Sequence, residues 1–361
     1  MNPRRLLLVC ALLAAAGFGV RPDAAHGCAA AYRHNEPFAI ASESAIILWD
    51  EKSQTEHFIR RAAFNTEAKD FGFLVPTPTK PLLAEADDAA FAELARVTAP
   101  KIVEQKRPAG GGGGCGIGCA AAPGSKAAGA PEAGVEVLEK NKVSGFDYAI
   151  LKATDADELS KWLKDNGYDF SDPLKAWAAH YIQEKWLITA FKISKGPDGK
   201  TAATKAVRMT FQTPKPFFPY REPEAKKPAE QHPASRLLRV YFLSTGKMQG
   251  KLGDSAWPGE TKWANKIETP DRDKVLDLLK LPKDTPPAEW WLTEFEDHSD
   301  PRPGTADVFF GPAENNNPVE RPPHIKYVGA EWSGCVMTYA LVAFLVLPGL
   351  ARRLVGRTGR K

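Results

Sequence analysis

The sequence predicts an α+β fold: a mixed, antiparallel-rich sheet with packed helices, plus one C-terminal transmembrane helix. Three observations predict it. Strand-length apolar runs recur along the chain and many stop at Pro, Gly or Asp clusters. Two successive stretches between 155 and 182 carry apolar residues at helical spacing behind N-cap signals. An uncharged 19-residue run, Trp332 to Leu350, is followed by five basic residues and no acid. There is no regular strand–helix–strand repeat with a phosphate loop, which argues against a parallel α/β architecture.

Residues 1–27 read as a secretory signal peptide. Arg4 and Arg5 precede an apolar stretch from Leu6 to Val20, and Ala25 and Gly27 supply small residues for cleavage before Cys28. Lipidation at Cys28 would need small or aliphatic residues before it, and His26 argues against that. The body is expected over 28–299, with a glycine-rich loop at 107–134. A Pro/Asn-rich stalk should cover 300–331, the membrane helix 332–350 and a basic cytoplasmic tail 351–361.

The stretch Ser44 to Thr79 holds three strand-like runs. Ala45 to Trp49 is nearly all apolar, as a strand covered on both faces would be. Thr55 to Arg61 mixes polar and apolar residues on both faces and suits an outer strand. Phe71 to Val75 is apolar apart from Gly72 and stops at Pro76-Thr77-Pro78, because proline has no N–H for a ladder. The expectation is a β-meander with its third strand near the middle of the core sheet. Phe73 and Val75 should share one face and Leu74 the other, and one of these two faces should lie under the helix bearing Leu159, Trp162 and Leu163. Phe73→Ala should then cost more than Phe58→Ala.

Asp87-Asp88 should cap a helix carrying Phe91, Leu94 and Ala95, and Lys101 to Gln105 reads as a strand or a further helical turn. Residues 107–134 are too poor in large apolar side chains to pack. Their Gly111, Gly113 and Gly116 spell G-x-G-x-x-G without a leading strand or a following helix, so no dinucleotide site is expected. Val135 to Lys140 and Phe146 to Ala153 read as strands. Asp155 with Glu158 resembles a capping box for a helix that ends at Gly167. A second helix starts at Asp172 with Pro173, and its Leu174, Trp177, Ala178, Tyr181 and Ile182 form one apolar face. Trp186 to Ser194 and Ala206 to Thr213 should pair as a hairpin around Gly196-Pro197-Asp198-Gly199. Leu237 to Ser244 is a strand. Thr269 should cap a helix with Val275, Leu278 and Leu279 inward. Trp290 to Phe295 is the last strand expected in the body.

The formal charge of +4 is misleading. Residues 1–27 carry +2 and 351–361 carry +5, leaving −3 for the rest. A slightly acidic body has no basic footprint for nucleic acid. The basic tail instead fits the positive-inside rule, placing the body outside the cytoplasmic membrane.

Several local patterns occur together: Phe71 to Pro78 ending in Val-Pro-x-Pro; Asp88, Phe91 and Leu94 ahead of Thr98-Ala99-Pro100-Lys101-Ile102-Val103-Glu104; Phe146-Asp147-Tyr148; Leu159 with Trp162-Leu163; Asn166-Gly167-Tyr168; Tyr181-Ile182; and the early Cys28. In this combination the chain resembles an uncharacterised bacterial family, the domain of unknown function 2330, from about Cys28 to Phe218 and more weakly to Phe295. The resemblance implies a secreted or membrane-anchored protein. The family has no assigned activity, so no catalytic residue carries over. After Glu104 the glycine-rich insertion departs from the family pattern and delays the cysteine to Cys115.

Cys28, Cys115 and Cys119 remain on the oxidising side once Cys10 leaves with the signal peptide and Cys335 lies in the span. The expected use is a disulfide, either Cys28 to one of the pair or Cys115 to Cys119. Metal binding lacks a nearby histidine, and the C-x₃-C spacing is not the redox motif. The seven histidines show no ligand spacing; His57 and His180 read as surface or partly buried side chains. Ser244-Thr245-Gly246-Lys247 spells S-x-x-K, but after a strand and without companion motifs. Gly253-Asp254-Ser255-Ala256 lacks the later glycine of a nucleophile elbow. Trp290-Trp291 reads as core. No catalytic set, cofactor or metal is expected. The functional expectation is a single-pass, membrane-anchored extracytoplasmic protein that binds or scaffolds a partner in the bacterial cell envelope, an envelope protein or glycan. The alternative is an envelope hydrolase.

Overall fold

The computed structural model describes residues 29–32, 38–66, 70–106, 135–168, 171–194, 201–203, 206–223, 237–299 and 302–328. The expected signal peptide, glycine-rich loop and membrane run, and Cys28, Cys115 and Cys119, lie outside these residues. Among the described residues no helix is long and apolar enough to cross a membrane. The α+β class with mixed and antiparallel sheets holds, with four helices among the described residues. The chain divides into two units: Met1–Ala99 with Ala120–Arg321, and Pro100–Cys119 with Pro322–Lys361.

The larger unit is built on an eight-stranded sheet. Its strands are β2 (Phe38–Asp50), β3 (Thr55–Thr66), β5 (Leu82–Glu85), β10 (Thr201–Ala203), β11 (Val207–Gln212), β13 (Leu237–Ser244), β16 (Glu260–Lys266) and β17 (Trp291–Asp297). They run in the order β16-β17-β13-β2-β3-β11-β5, with β10 pairing β3 beyond β11. β13 and β2 pair in parallel; the other pairs are antiparallel. A second sheet holds β1 (Ala29–Tyr32), β4 (Asp70–Thr77), β7 (Val135–Val143), β8 (Phe146–Ala153) and β9 (Leu187–Ser194), in the order β1-β4-β9-β8-β7. A third holds β12 (Phe217–Phe218), β14 (Met248–Leu252), β15 (Ser255–Ala256) and β18 (Val308–Pro312).

The strand period of two sorts side chains between layers. Ala45, Ile47, Phe58, Val240 and Phe242 leave one face of the large sheet and meet Phe73, Val75, Phe146 and Phe191 of the second sheet and Val308 and Phe310 of the third. From its other face Ile46, Leu48, Ile59, Tyr241 and Leu243 pack under α1 (Ala89–Val97) and α4 (Thr269–Leu278). Leu74, Ala149, Leu151, Ile188 and Ala190 leave the second sheet outward, under α2 (Ala156–Asp165) and α3 (Asp172–Gln183). The layers therefore run helix, sheet, sheet, helix. Phe73 and Val75 do share the inner face, and Leu74 faces Leu159, Trp162 and Leu163 as the alternation requires.

Local signals explain the element ends. Asp155 accepts the N–H groups of Asp157 and Glu158 at 2.7 and 2.8 Å, and Gly167 closes α2 at φ +83°. Ser171 precedes α3, with Pro173 in its first turn. Of the pair expected to cap α1, Asp87 accepts Ala89 N–H at 2.9 Å, while Asp88 accepts Ala206 N–H at 2.8 Å and ties the helix start to β11. For α4 the cap is Glu268, not Thr269, and Val275, Leu276 and Leu279 are the fully buried residues. Ser144 and Gly145, both at positive φ, make the tight turn of the β7–β8 hairpin.

Four expectations are corrected. β4 does not complete a meander: β2 pairs β3, but β4 joins β1 and β9 in the second sheet. Its apolar character on both faces is satisfied there, between the inner core and the helices. β3 is not an outer strand; it lies between β2 and β11. β9 and β11 do not pair, because each finds partners in a different sheet. Val308–Pro312, expected in a stalk, is a paired strand, and Arg302 and Asp307 are buried. Periodicity assigns a face to a side chain but does not choose the strand next door.

Gly72 is needed for a close approach. A Cβ there would meet the Tyr168 ring and lie 2.6 Å from the Phe191 carbonyl oxygen.

In the smaller unit β6 (Ile102–Lys106) pairs in parallel with β19 (His324–Val328). The strand alternative for Lys101 to Gln105 is thus the one adopted.

Candidate functional site

Among the described residues, a large gathering of charged side chains lies at one end of the eight-stranded sheet, on both of its faces. Alternation along β17 sends Glu294 and Glu296 to the helix side and Phe295 and Asp297 to the inner side. Register brings Arg239 of β13 opposite Glu296 and Tyr241 opposite Glu294. A backbone bridge between Ala264 and Val319, both bonds 2.8 Å, leads Arg321 to the same place.

On the helix side Arg239 contacts Glu296 at 2.6 Å and Glu294 at 3.1 Å. Arg321 contacts the same two carboxylates at 2.7 and 3.0 Å. His298 Nε2 lies 3.3 Å from Glu296 Oε2. Burial disfavours the charge on Glu296, but hydrogen bonds from Arg321 and Arg239 and the charge of Arg239 outweigh it and hold the carboxyl at about 2. Burial first, and then the charge of Glu294, push the Tyr241 hydroxyl up to about 12.

On the inner side Arg60 Nε donates to Glu43 Oε1 at 2.8 Å, and Arg302 donates to Glu43 Oε2 at 3.2 Å. The Arg60 guanidinium sits 4.8 Å from the Phe73 ring centre. Beside this network Tyr220 donates to Asp297 at 2.6 Å, and Ser299 caps the other oxygen of Asp297 with its N–H and hydroxyl. Each ion of such a network gives up its water, so much of the pairing energy offsets that cost.

Glu296 is poorly suited to exchanging a proton near neutral pH. Glu296 stays ionised at any ordinary pH, and Glu294 shares the same two arginines. A pair of carboxyls with divergent environments, one protonated and one not, is what acid–base chemistry needs. The arrangement instead presents two partly buried arginines and an exposed histidine at one end of the sheet.

A separate acid, Glu56, lies fully buried on the inner face of β3. Its Oε2 accepts Phe217 N–H at 3.0 Å and its Oε1 meets no donor. Burial drives its proton affinity well up, opposed by the Phe217 N–H.

The residues singled out in the sequence fall elsewhere. Ser244 donates to the Gly246 carbonyl at 2.7 Å and Lys247 Nζ to the Asn317 carbonyl at 3.1 Å, so the S-x-x-K pair is spent on a turn. Ser255 is exposed on the two-residue strand β15. His57 is partly buried against Thr210 at 2.9 Å; burial, then Arg208, lower it to about 4, against a smaller pull from Asp50. His180 is partly buried on α3. Trp290 is core, beneath the Arg272 guanidinium at 5.3 Å. Among the described residues no group of three or more His, Cys, Asp or Glu is placed to hold a metal ion.

The charged end went unread in the sequence. Glu294 and Glu296 two apart on a strand were a legible signal, but their arginine partners are remote in the chain, and Arg302 is 259 residues from Glu43.

A family model described as "Uncharacterized protein conserved in bacteria (DUF2330)" matches residues 22–307. The chain belongs to this family. The match reaches past Phe295, farther than the local patterns suggest. It spans Glu43, Arg60, Arg239, Glu294, Glu296 and Arg302 and stops short of Arg321. No curated protein and no solved structure matches the chain.

Proposed function

We propose that this member of DUF2330 is a membrane-tethered extracytoplasmic module of the bacterial cell envelope that binds or scaffolds an envelope protein or glycan. The observation that carries the tether is the uncharged 19-residue run Trp332 to Leu350, with five basic residues and no acid behind it. About 20 apolar residues span a bilayer, and basic residues stay on the cytoplasmic side. The chemistry of the charged end supports binding over catalysis: Glu296 is held ionised between Arg239 and Arg321, and the S-x-x-K side chains serve backbone carbonyls.

The test is protease accessibility in spheroplasts of a host expressing the full chain with a C-terminal tag. Added protease is expected to digest the body and leave the tag protected. A protected body with an exposed tag would reverse the proposed orientation.

A further inference from the structure

The smaller unit presents apolar side chains to solvent. Ile102 is 68% exposed, Val103 41% and Ile325 43%. In the parallel ribbon Ile325 is in register with Val103, and His324 with Ile102. Residues in register share a face, so Val103 and Ile325 stand on one side and Ile102 on the other. Parallel strands are normally covered on both faces, and a two-stranded sheet is marginal alone in water. This ribbon therefore calls for a cover that reaches both faces.

The chain indicates which cover. Four residues after Val328 comes Trp332, where the uncharged run begins. Ile325 is seven residues from Trp332, at most about 25 Å of fully extended chain. A span starting there confines the ribbon to the neighbourhood of the bilayer, so contact costs little further freedom. Residues 101–106 and 324–328 carry Lys101, Lys106 and Lys326 against the single acid Glu104, a formal excess of two positive charges, and Lys326 is paired with Glu104 at 3.1 Å. Lysines can lay their stems along an apolar surface while their ammonium groups reach phosphate.

From these observations, and resting on the tether proposed above, we infer that the ribbon of Ile102–Lys106 and His324–Val328 is a lipid-contacting surface. It sits at the headgroup–acyl boundary of the extracytoplasmic leaflet, with lipid against Val103 and Ile325 on one face and against Ile102 on the other, and the net positive charge of the segment beside anionic phosphates. A liquid-like interface covers both faces of a ribbon, which a single protein groove does not. The surface is a second contact with the membrane, distinct from the span, and it favours leaflets that contain anionic phospholipid.

The experiment uses the full chain reconstituted in phosphatidylcholine vesicles with and without phosphatidylglycerol. A phospholipid bearing a photoactivatable group near its headgroup is included, and labelled peptides are mapped by mass spectrometry. Label is expected in peptides covering 101–106 and 324–328 as well as in 332–350, with ribbon labelling reduced when phosphatidylglycerol is left out. The double variant Ile102→Asp/Ile325→Asp should lose ribbon labelling and keep that of 332–350, with the melting of the body unchanged. Label in 332–350 alone overturns the lipid surface and leaves the tether standing. Absence of label from 332–350 removes the tether and this inference with it. A ribbon that cross-links to the ribbon of a second copy, and not to lipid, also overturns the inference.

Discussion

At Glu56 a carboxyl group sits wholly inside the core with one backbone donor and one oxygen unmet. Burial favours its neutral form, so the folded state holds the proton more tightly than the unfolded chain does. Its contribution to stability is full below the ordinary carboxylate value of 4.5 and is lost as the pH rises through the elevated folded value. Glu296 acts in the opposite sense: its contribution is present above 4.5 and is lost as the pH falls toward about 2. His57, lowered to about 4, likewise weakens the fold as the pH falls from 6.5. Replacing Glu56 by glutamine removes the ionisation while keeping the shape and the acceptor for Phe217. Glu56→Gln should raise stability at pH 8, where it removes a buried ionisation, and change it little at pH 4. Urea midpoints at both pH values measure this; an equal shift at both would show that Glu56 does not titrate in the core.

The behaviour of β3 and β4 follows from which sheets they join. β3 has neighbours on both edges, and Phe58 packs edge-on against Phe218 at 6.0 Å in the inner core. Phe73 of β4 stacks on Phe191 at 4.7 Å and meets Phe146 edge-on at 6.1 Å. Both rings are buried, Phe58 the more completely, at 1% exposed against 6%. The ranking expected from the sequence therefore fails: Phe58→Ala and Phe73→Ala should each cost about 3–5 kcal/mol, the range for deleting a buried aromatic ring. Urea unfolding of the two variants against the parent settles the comparison. A small loss for Phe58→Ala would put β3 back at the rim of the sheet.

For the whole molecule, the boundary of the body lies well beyond 299. β18 is the strand to which β12 and β14 both bond, and Val308 and Phe310 reach the inner core. Asp307 accepts the Tyr181 hydroxyl at 2.8 Å, and Arg302 reaches Glu43. A fragment of residues 28–300 should thus expose the third sheet and lose cooperative unfolding, whereas one of residues 28–328 should keep it. Thermal melting by circular dichroism distinguishes them. Two fragments with the same midpoint would mean that β18 is dispensable.

What the sequence determined by itself was local. The cap of α2, the start of α3 at Pro173 and the alternation of Phe73, Leu74 and Val75 are all set by neighbours a few residues away, through backbone preference and the periods of helix and strand. Family membership was legible for a similar reason, since it lay in short patterns such as Val-Pro-x-Pro and Asn-Gly-Tyr. The run Trp332 to Leu350 was legible because uninterrupted apolar length needs no partner to be recognised. Tertiary structure alone decided which strands pair, that β4 and β9 leave the sheet of β3 and β11, that Val308–Pro312 belongs to the core, and that Glu43 meets Arg302. Each of these choices depends on closing a long loop around a shared apolar surface. Several strands of this chain are apolar on both faces, so any of them could satisfy any sheet, and only the packing of all layers together selects one partner.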